Sequence, residues 1–469
     1  MSDKTPDKDK IQWLTKFKPG GKLTNETIAI LQFLIQHDTT NPPGNEMELA
    51  KKIQQRYDGL DCDYMTTKII ETAPGRGNLI VTIKGSDPEN HKDWGFAGHL
   101  DVVPAEGEWD HPPFSGEVVQ HKHDRFIYGR GAFDMKQIVA AMIVGSMTLI
   151  KEGFRPKGNI KIIYNADEER GGHFGMEKLV NEHWDDVKVD CIIDEGGGFR
   201  LPLGNDFIIQ RAEKGKCQTK ITARGVSGHG STPPPYEKLA MYKLIKVAER
   251  IRKKRQRIYM SDEYLESINN ISLPGIAKFI LKKKALVRPV LSVAQAITGL
   301  PMKKMFTAII SDTIAPTIFK MGRKENVISP SGELTLDIRT LPNHDREFIW
   351  NELERLIGKK LYSELELSIV DNVESTTSPI QTEYYHKIEE TFQQIFPGAN
   401  LVPLLGTGGT DMKYFRFKGV PAYGFSPVIK DEDISVFGLT GLAHAPNERI
   451  SVTNLMLATD FAYRMMKQV

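Results

Sequence analysis

The sequence predicts an α/β protein in which a mixed sheet lies between helices and a smaller α+β domain is inserted into the same chain. Three observations carry that prediction. Short β-rich runs, Leu79-Ile80-Val81-Thr82-Ile83, Trp94-Gly95-Phe96-Ala97, Ile160-Lys161-Ile162-Ile163-Tyr164 and Cys191-Ile192-Ile193, alternate with helical patterns over 135–150 and 176–183. This is the texture of a layered, parallel or mixed sheet. After Arg211 the pattern turns to strict alternation, in Gln218-Thr219-Lys220-Ile221-Thr222-Ala223 and again in Glu333-Leu334-Thr335-Leu336-Asp337-Ile338-Arg339, as in an antiparallel sheet with one wet face. The length, 469 residues, exceeds one ordinary domain, so a second core is expected. The expected division is a first part of the main domain at 1–212, an insert at 213–376 holding a helix over 237–257, and a return at 377–469.

Composition narrows the class. With 40% hydrophobic and 26% charged residues the chain can bury a large core, and 62 basic against 60 acidic residues give a net charge of +2. Nothing in that balance favours a polyanion, so nucleic acid is not expected as a partner. Cys62, Cys191 and Cys217 have no C-x-x-C spacing, which excludes a disulfide scaffold or zinc ribbon and fits a reducing compartment. Residues 1–20 are rich in Lys and Asp without the apolar core of a secretory signal, so a cytoplasmic location is expected. The most apolar stretch, 271–310, is interrupted by Lys282-Lys283-Lys284, Arg288 and Lys303-Lys304, which leaves no run able to span a bilayer. It reads as ordinary helix packing in an enlarged insert, with contact to a membrane surface or a roof over an apolar substrate pocket as the alternatives. The run Arg252-Lys253-Lys254-Arg255-Gln256-Arg257 reads as a solvated helix end rather than a phosphate or lipid-headgroup patch.

Chemistry is concentrated where strands end. His99-Leu100-Asp101 follows one apolar strand, and alternation puts His99 and Asp101 on one side, so the carboxylate can orient the imidazole. Asn165-Ala166-Asp167-Glu168-Glu169 ends another strand with three adjacent acids before Gly171-Gly172. Acids packed so closely need a cation or protons, and Glu168 and Glu169 can point apart, one to a metal and one to a water. Asp194-Glu195-Gly196 repeats the device. Asp134, at a glycine-punctuated turn before an apolar helix, is either an N-cap or a carboxylate shared by two metals. His444 sits in a loop bounded by Gly441 and Pro446. Imidazoles and carboxylates without thiolates suit zinc, cobalt or manganese in an open site.

Five ordered motifs make the chain recognisable: Gly98-His99-Leu100-Asp101-Val102-Val103-Pro104, Gly129-Arg130-Gly131 through Asp134-Met135-Lys136, Asp167-Glu168-Glu169, Asp194-Glu195-Gly196, and the loop of His444. From about residue 25 onward the sequence resembles the di-zinc metallopeptidase family of clan MH that contains aminoacylase, acetylornithine deacetylase, succinyl-diaminopimelate desuccinylase, glutamate carboxypeptidase and carboxypeptidase S. The segment 312–339 is most similar to the carboxypeptidase S and N-acyl amino acid hydrolase branch. The resemblance implies a zinc-peptidase-like catalytic domain with an inserted lid and dimerisation domain. It implies two divalent cations, zinc first, with His99, Asp134 and Glu169 on one and Asp134, Glu195 and His444 on the other. It implies Glu168 as general base, Asp101 as the acid orienting His99, and His229 as a lid histidine reaching the active site of a partner subunit, hence a homodimer. Asn326, Arg339, Gly409 and Thr410 resemble substrate contacts, Arg339 gripping a free carboxylate. The implied reaction is hydrolysis of the amide of a short peptide or N-acyl amino acid. A carboxypeptidase or dipeptidase, an N-acyl amino acid deacylase and a non-catalytic binding relative remain the competing readings. Ser329 and Arg170 depart from the family's pattern without removing a ligand.

Overall fold

A computed structural model describes residues 8–201, 204–298, 302–430 and 441–469. Its large sheet runs, edge to edge, through Met65–Ala73, Arg76–Ile83, Ile160–Asn165, Trp94–His99, Cys191–Asp194, Ala422–Gly424, Asp206–Glu213 and Thr376–Thr377, with Asn400–Gly406 paired in parallel to Asp206–Glu213. Pairing is mixed: Trp94–His99 is parallel to both of its neighbours, while Arg76–Ile83 is antiparallel to Ile160–Asn165. The side chains follow a period of two. Trp94, Phe96, Ile160, Ile162, Tyr164, Cys191 and Ile193 face one helix layer, and Ala97, Ile163 and Ile192 face the other. The first layer contains Thr24–Ile35, Lys136–Lys151, Glu383–Ile395 and Val452–Lys467, and the second Met176–Glu182 and Met412–Phe417. Burial on both faces explains why these strands read as continuous apolar runs.

The chain leaves this sheet at Glu213, and Lys214 links it directly to Gly215–Arg224 of a second, antiparallel sheet ordered Thr313–Met321, Ser331–Thr340, Gly215–Arg224, Leu365–Val373. Burial alternates residue by residue along Gly215–Arg224 and Ser331–Thr340, and the inner face is covered by Ala240–Lys253 and Arg346–Ile357. The helix expected over 237–257 is shorter, Ala240–Lys253, because Tyr236–Lys238 form a separate short turn, Leu239 after it is extended, and Lys254 turns out of the helical region. Between this helix and Thr313–Met321 lie Asp262–Asn270, Gly275–Leu281, Lys284–Thr298 and Met302–Ile310. Among the described residues, no helix is long and apolar enough to cross a membrane.

Candidate metal centre

Trp94–His99, Ile160–Asn165 and Cys191–Asp194 are neighbouring parallel strands whose carboxyl ends lie together, His99 opposite Asn165 and Phe96 opposite Ile193. Residues just past these ends therefore converge, where open α/β sheets place their sites. A third sheet supplies the remaining ligand. Arg449–Ser451 pairs with Arg125–Tyr128, bringing the loop of His444 beside the turn of Asp134.

His99 Nε2 lies 3.2 Å from Asp134 Oδ1 and 3.6 Å from Glu195 Oε1, while His444 Nε2 lies 3.3 Å from Asp134 Oδ2 and 3.1 Å from Glu169 Oε2. The donors fall into two groups, His99 with Asp134 and Glu195, and Glu169 with Asp134 and His444. All five expected ligands thus meet, but their partition corrects the sequence-based one: Glu195 belongs with His99, and Glu169 with His444. The reason is local. The strands leading to both glutamates flank that of His99, but Glu195 comes directly after Asp194 at its strand's end, whereas Glu169 lies further out, in the turn Glu168–Arg170 beyond Asn165. Asp134 belongs to both groups, one oxygen to each. The helix starting at Lys136 receives no side-chain cap, so the N-cap alternative for Asp134 falls.

The frame around the donors is dense. Asp101 accepts the backbone N–H of Glu168 (3.1 Å) and of Glu169 (3.2 Å) and the amide of Asn41 (2.8 Å), and His99 Nδ1 is 2.9 Å from the Asp101 carbonyl oxygen and 3.5 Å from its carboxylate. One buried acid therefore orients the imidazole and fixes the turn carrying both glutamates. Gly172, at φ +77°, allows that turn: a Cβ there would lie 2.3 Å from Asp411 Oδ1. Asp167 and His444 themselves have positive φ, 68° and 67°, backbone cost of the kind found where a site requires it. Asp167 is held there by Asn41, by Phe174 N–H and by Arg76.

Two residues without an expected role complete the frame. Glu448 accepts the N–H of Phe133 and Asp134 through Oε1 and pairs with Arg130 at 2.6 Å through Oε2. Arg130 also donates to the carbonyls of Pro104, His444 and Ala445. The pair ties the bridging carboxylate to the loop of His444. The visible signal was an arginine between two glycines, Gly129-Arg130-Gly131, before an apolar helix; its carboxylate partner 318 residues away gave none.

Electrostatics fit divalent cations. Burial pushes Glu168 and Glu195 well above the usual carboxylate range, reinforced by neighbouring acids, and raises Glu169 as well. Hydrogen bonds to Asp134 and Glu169 push His444 up to about 10. Four carboxylates face two imidazoles, and Glu169 Oε1 is buried without a hydrogen-bond partner among the described residues. An excess of acid with an orphaned acceptor is the donor set of a cation pair.

The hydrogen bonds of the other expected site residues go to partners outside this cluster. His229 is exposed, its Nδ1 2.7 Å from Ser231 Oγ; it stands next to Asn326, whose carbonyl accepts from Gly230, where Gly228–His229 pairs with Val327–Ile328. Arg339 is forked onto Asp337 of its own strand. Gly409 is exposed, but Thr410 is buried with its N–H and hydroxyl both given to Glu213 at 2.8 and 2.6 Å. Both donors of Thr410 are therefore engaged inside the fold.

The profile of peptidase family M20/M25/M40 matches residues 95–468, and the chain belongs to that family. It is 29% identical over 408 residues to the N-fatty-acyl-amino acid synthase/hydrolase PM20D1 of Xenopus tropicalis, covering 83% of this chain and 74% of that protein. It is 27% identical over 412 residues to the probable carboxypeptidase S-like 2 of Dictyostelium discoideum, with the same coverage. Among solved structures, it superposes on the M20 family metallo-carboxypeptidase Sso-CP2 of Sulfolobus solfataricus with a TM-score of 0.67 at 20% identity, over 94% of this chain and 99% of that one.

Proposed function

We propose that this protein is a metal-dependent hydrolase of the amide bond in a short peptide or N-acyl amino acid that carries a free carboxylate. The observation that carries the reading is Asp134, one oxygen toward each of two histidine–glutamate pairs. His99 and Glu195 would hold one cation, Glu169 and His444 the other, and Asp134 both; zinc is the first candidate, with cobalt or manganese also suited to these donors. Such a cation pair supplies Lewis acidity to the scissile carbonyl and makes water a nucleophile at neutral pH. Glu168, raised by burial and standing 3.9 Å from His99 Nε2, takes the proton of that water and returns it to the leaving amine. Asp101 keeps His99 oriented and the Glu168–Glu169 turn in register. Arg339 grips the substrate carboxylate once released from Asp337, with Asn326 and Gly409 lining its approach.

We propose further that 1–212 and 377–469 form the catalytic domain and 213–376 a lid through which two copies pair, so that His229 of one copy steadies the oxyanion at the other's site. The exposed edge strand Thr313–Met321, with Ile318 and Phe319 in solvent, supports such pairing. Three free cysteines suit a cytoplasmic setting. A deacylase working on longer acyl chains is a narrower version of the same reading, favoured by the PM20D1 relative.

Metal analysis with a substrate panel tests the proposal. Two divalent cations per chain are expected, with turnover lost on chelation and regained on their return. Dipeptides are compared with N-acyl amino acids of increasing chain length, and blocking the carboxylate should cost most of the rate. Purified protein that binds no divalent cation would overturn the reading.

A further inference from the structure

Charge in this chain is unevenly placed. Between residues 267 and 311 stand seven cations, Lys278, Lys282, Lys283, Lys284, Arg288, Lys303 and Lys304, and no Asp or Glu, which leaves 55 basic against 60 acidic residues elsewhere. The same segment leaves large apolar side chains in solvent: Ile276 is 77% exposed, Phe279 60%, Val293 59% and Leu286 44%. Among the described residues, the helices Gly275–Leu281 and Lys284–Thr298 bury a narrow stripe, Leu281, Val287 and Leu291, against Tyr264, Ile268 and Ile310. Ile276 and Phe279 share one helix face by their spacing, as do Leu286 and Val293. Lys283 Nζ sits 4.7 Å from the centre of the Phe279 ring, so charge and apolar surface adjoin.

Pro289 lies between Leu286 and Val293 on its helix and borders a cavity of about 1020 Å³ also lined by Arg252, Lys254, Arg255 and Arg288. Its acidic lining residue, Glu249, is 2.6 Å from Lys253 and already ion-paired. Protruding aliphatic and aromatic groups beside cations, with Glu249 already neutralised by Lys253, match an anionic bilayer, whose acyl boundary takes the first and whose headgroups take the second. A second copy of this chain would present the same positive face, and like charges oppose that pairing.

We infer that Gly275–Leu281 and Lys284–Thr298 form a docking face for anionic lipid bilayers. Ile276, Phe279, Leu286 and Val293 enter the acyl boundary, and Arg252, Arg255 and Arg288 meet headgroup phosphates. This surface is independent of the hydrolytic reading.

The test is sedimentation of the protein with phosphatidylcholine vesicles, with and without phosphatidylserine, at low and near-physiological salt. Binding is expected only with phosphatidylserine and weakens with salt. The triple variant Lys282→Gln, Lys283→Gln, Lys284→Gln should partition about a hundredfold less, and Phe279→Asp at least about tenfold less. Lys283, Lys284 and Phe279 face solvent and Lys282 is half-buried with its ammonium on Asn269, so thermal melting should stay close to the parent; Ile276→Asp replaces any variant that melts early. Failure of the parent protein to sediment with phosphatidylserine vesicles overturns the inference, as does undiminished binding by Phe279→Asp. A concentration-dependent dimer that Phe279→Asp converts to monomer would mean a second copy covers the face, and would overturn it too.

Discussion

In the large domain His99, Asp101, Asp134 and Glu448 are each held by two or more contacts from distant parts of the chain. In the small domain His229 and Asn326 stand in solvent and Arg339 rests on a neighbour two residues away. The first region is built in advance of any ligand; the second, on the proposed reading, offers side chains that would still have to be brought to a site. Preorganisation suits groups that hold cations and activate water, because a misplacement of about 1 Å is costly there. Mobility suits groups that close over a substrate and release it.

The largest effect should come from the preorganised side. Glu168→Ala is expected to cut kcat by about 10²–10⁴ while leaving metal content unchanged; undiminished turnover would remove Glu168 as the base. Breaking the Arg130–Glu448 pair, by Glu448→Ala, should cost about 3–5 kcal/mol of stability, read as a lowered Tm together with weaker retention of metal under chelator. If His229 acts across subunits, His229→Ala should lose about 10²–10³ in kcat, and mixing it with Glu168→Ala should restore activity that neither shows alone. Two inactive parents with no recovery would place His229 elsewhere. Arg339→Ala should raise KM about ten- to a hundredfold for substrates with a free carboxylate and leave carboxylate-blocked ones unaffected.

The smallest effect concerns the joint between the two regions. Lys214 is buried between the sheets, donating to the carbonyls of Ser311 and Ala308, and burial holds its ammonium down at about 8. Between that value and 10.5 the folded protein binds fewer protons than the unfolded one, so stability gains from this group as pH rises through that window. The Tm of the parent should therefore gain on that of Lys214→Met between pH 8 and 10.5; parallel melting curves would show that Lys214 stays charged.

Residues that end apolar strands were legible, since the alternation that buries Phe96, Ile162 and Ile193 also fixes where His99, Glu168 and Glu195 emerge. Which glutamate accompanies which histidine was not legible, because it depends on how far past its strand each emerges: Glu195 directly after Asp194, Glu169 in a turn that Asp101 holds. Arg130 and Glu448 escaped notice for a similar reason: each is an ordinary charged residue until the other arrives. A Gly-Gly-Thr loop signals available donors, and what the sequence could not show is that Glu213 takes both those of Thr410. In the small domain the alternating strands announced the sheet, but contacts made through exposed side chains leave no periodic mark.

The pairing of Arg449–Ser451 with Arg125–Tyr128 also orders events during synthesis. His444 and Glu448 are made long after His99 and Asp134, so a growing chain has no complete cation cage until they too have left the ribosome and that pairing has closed. A product stopped short of residue 444 would lack the cage and would be inert.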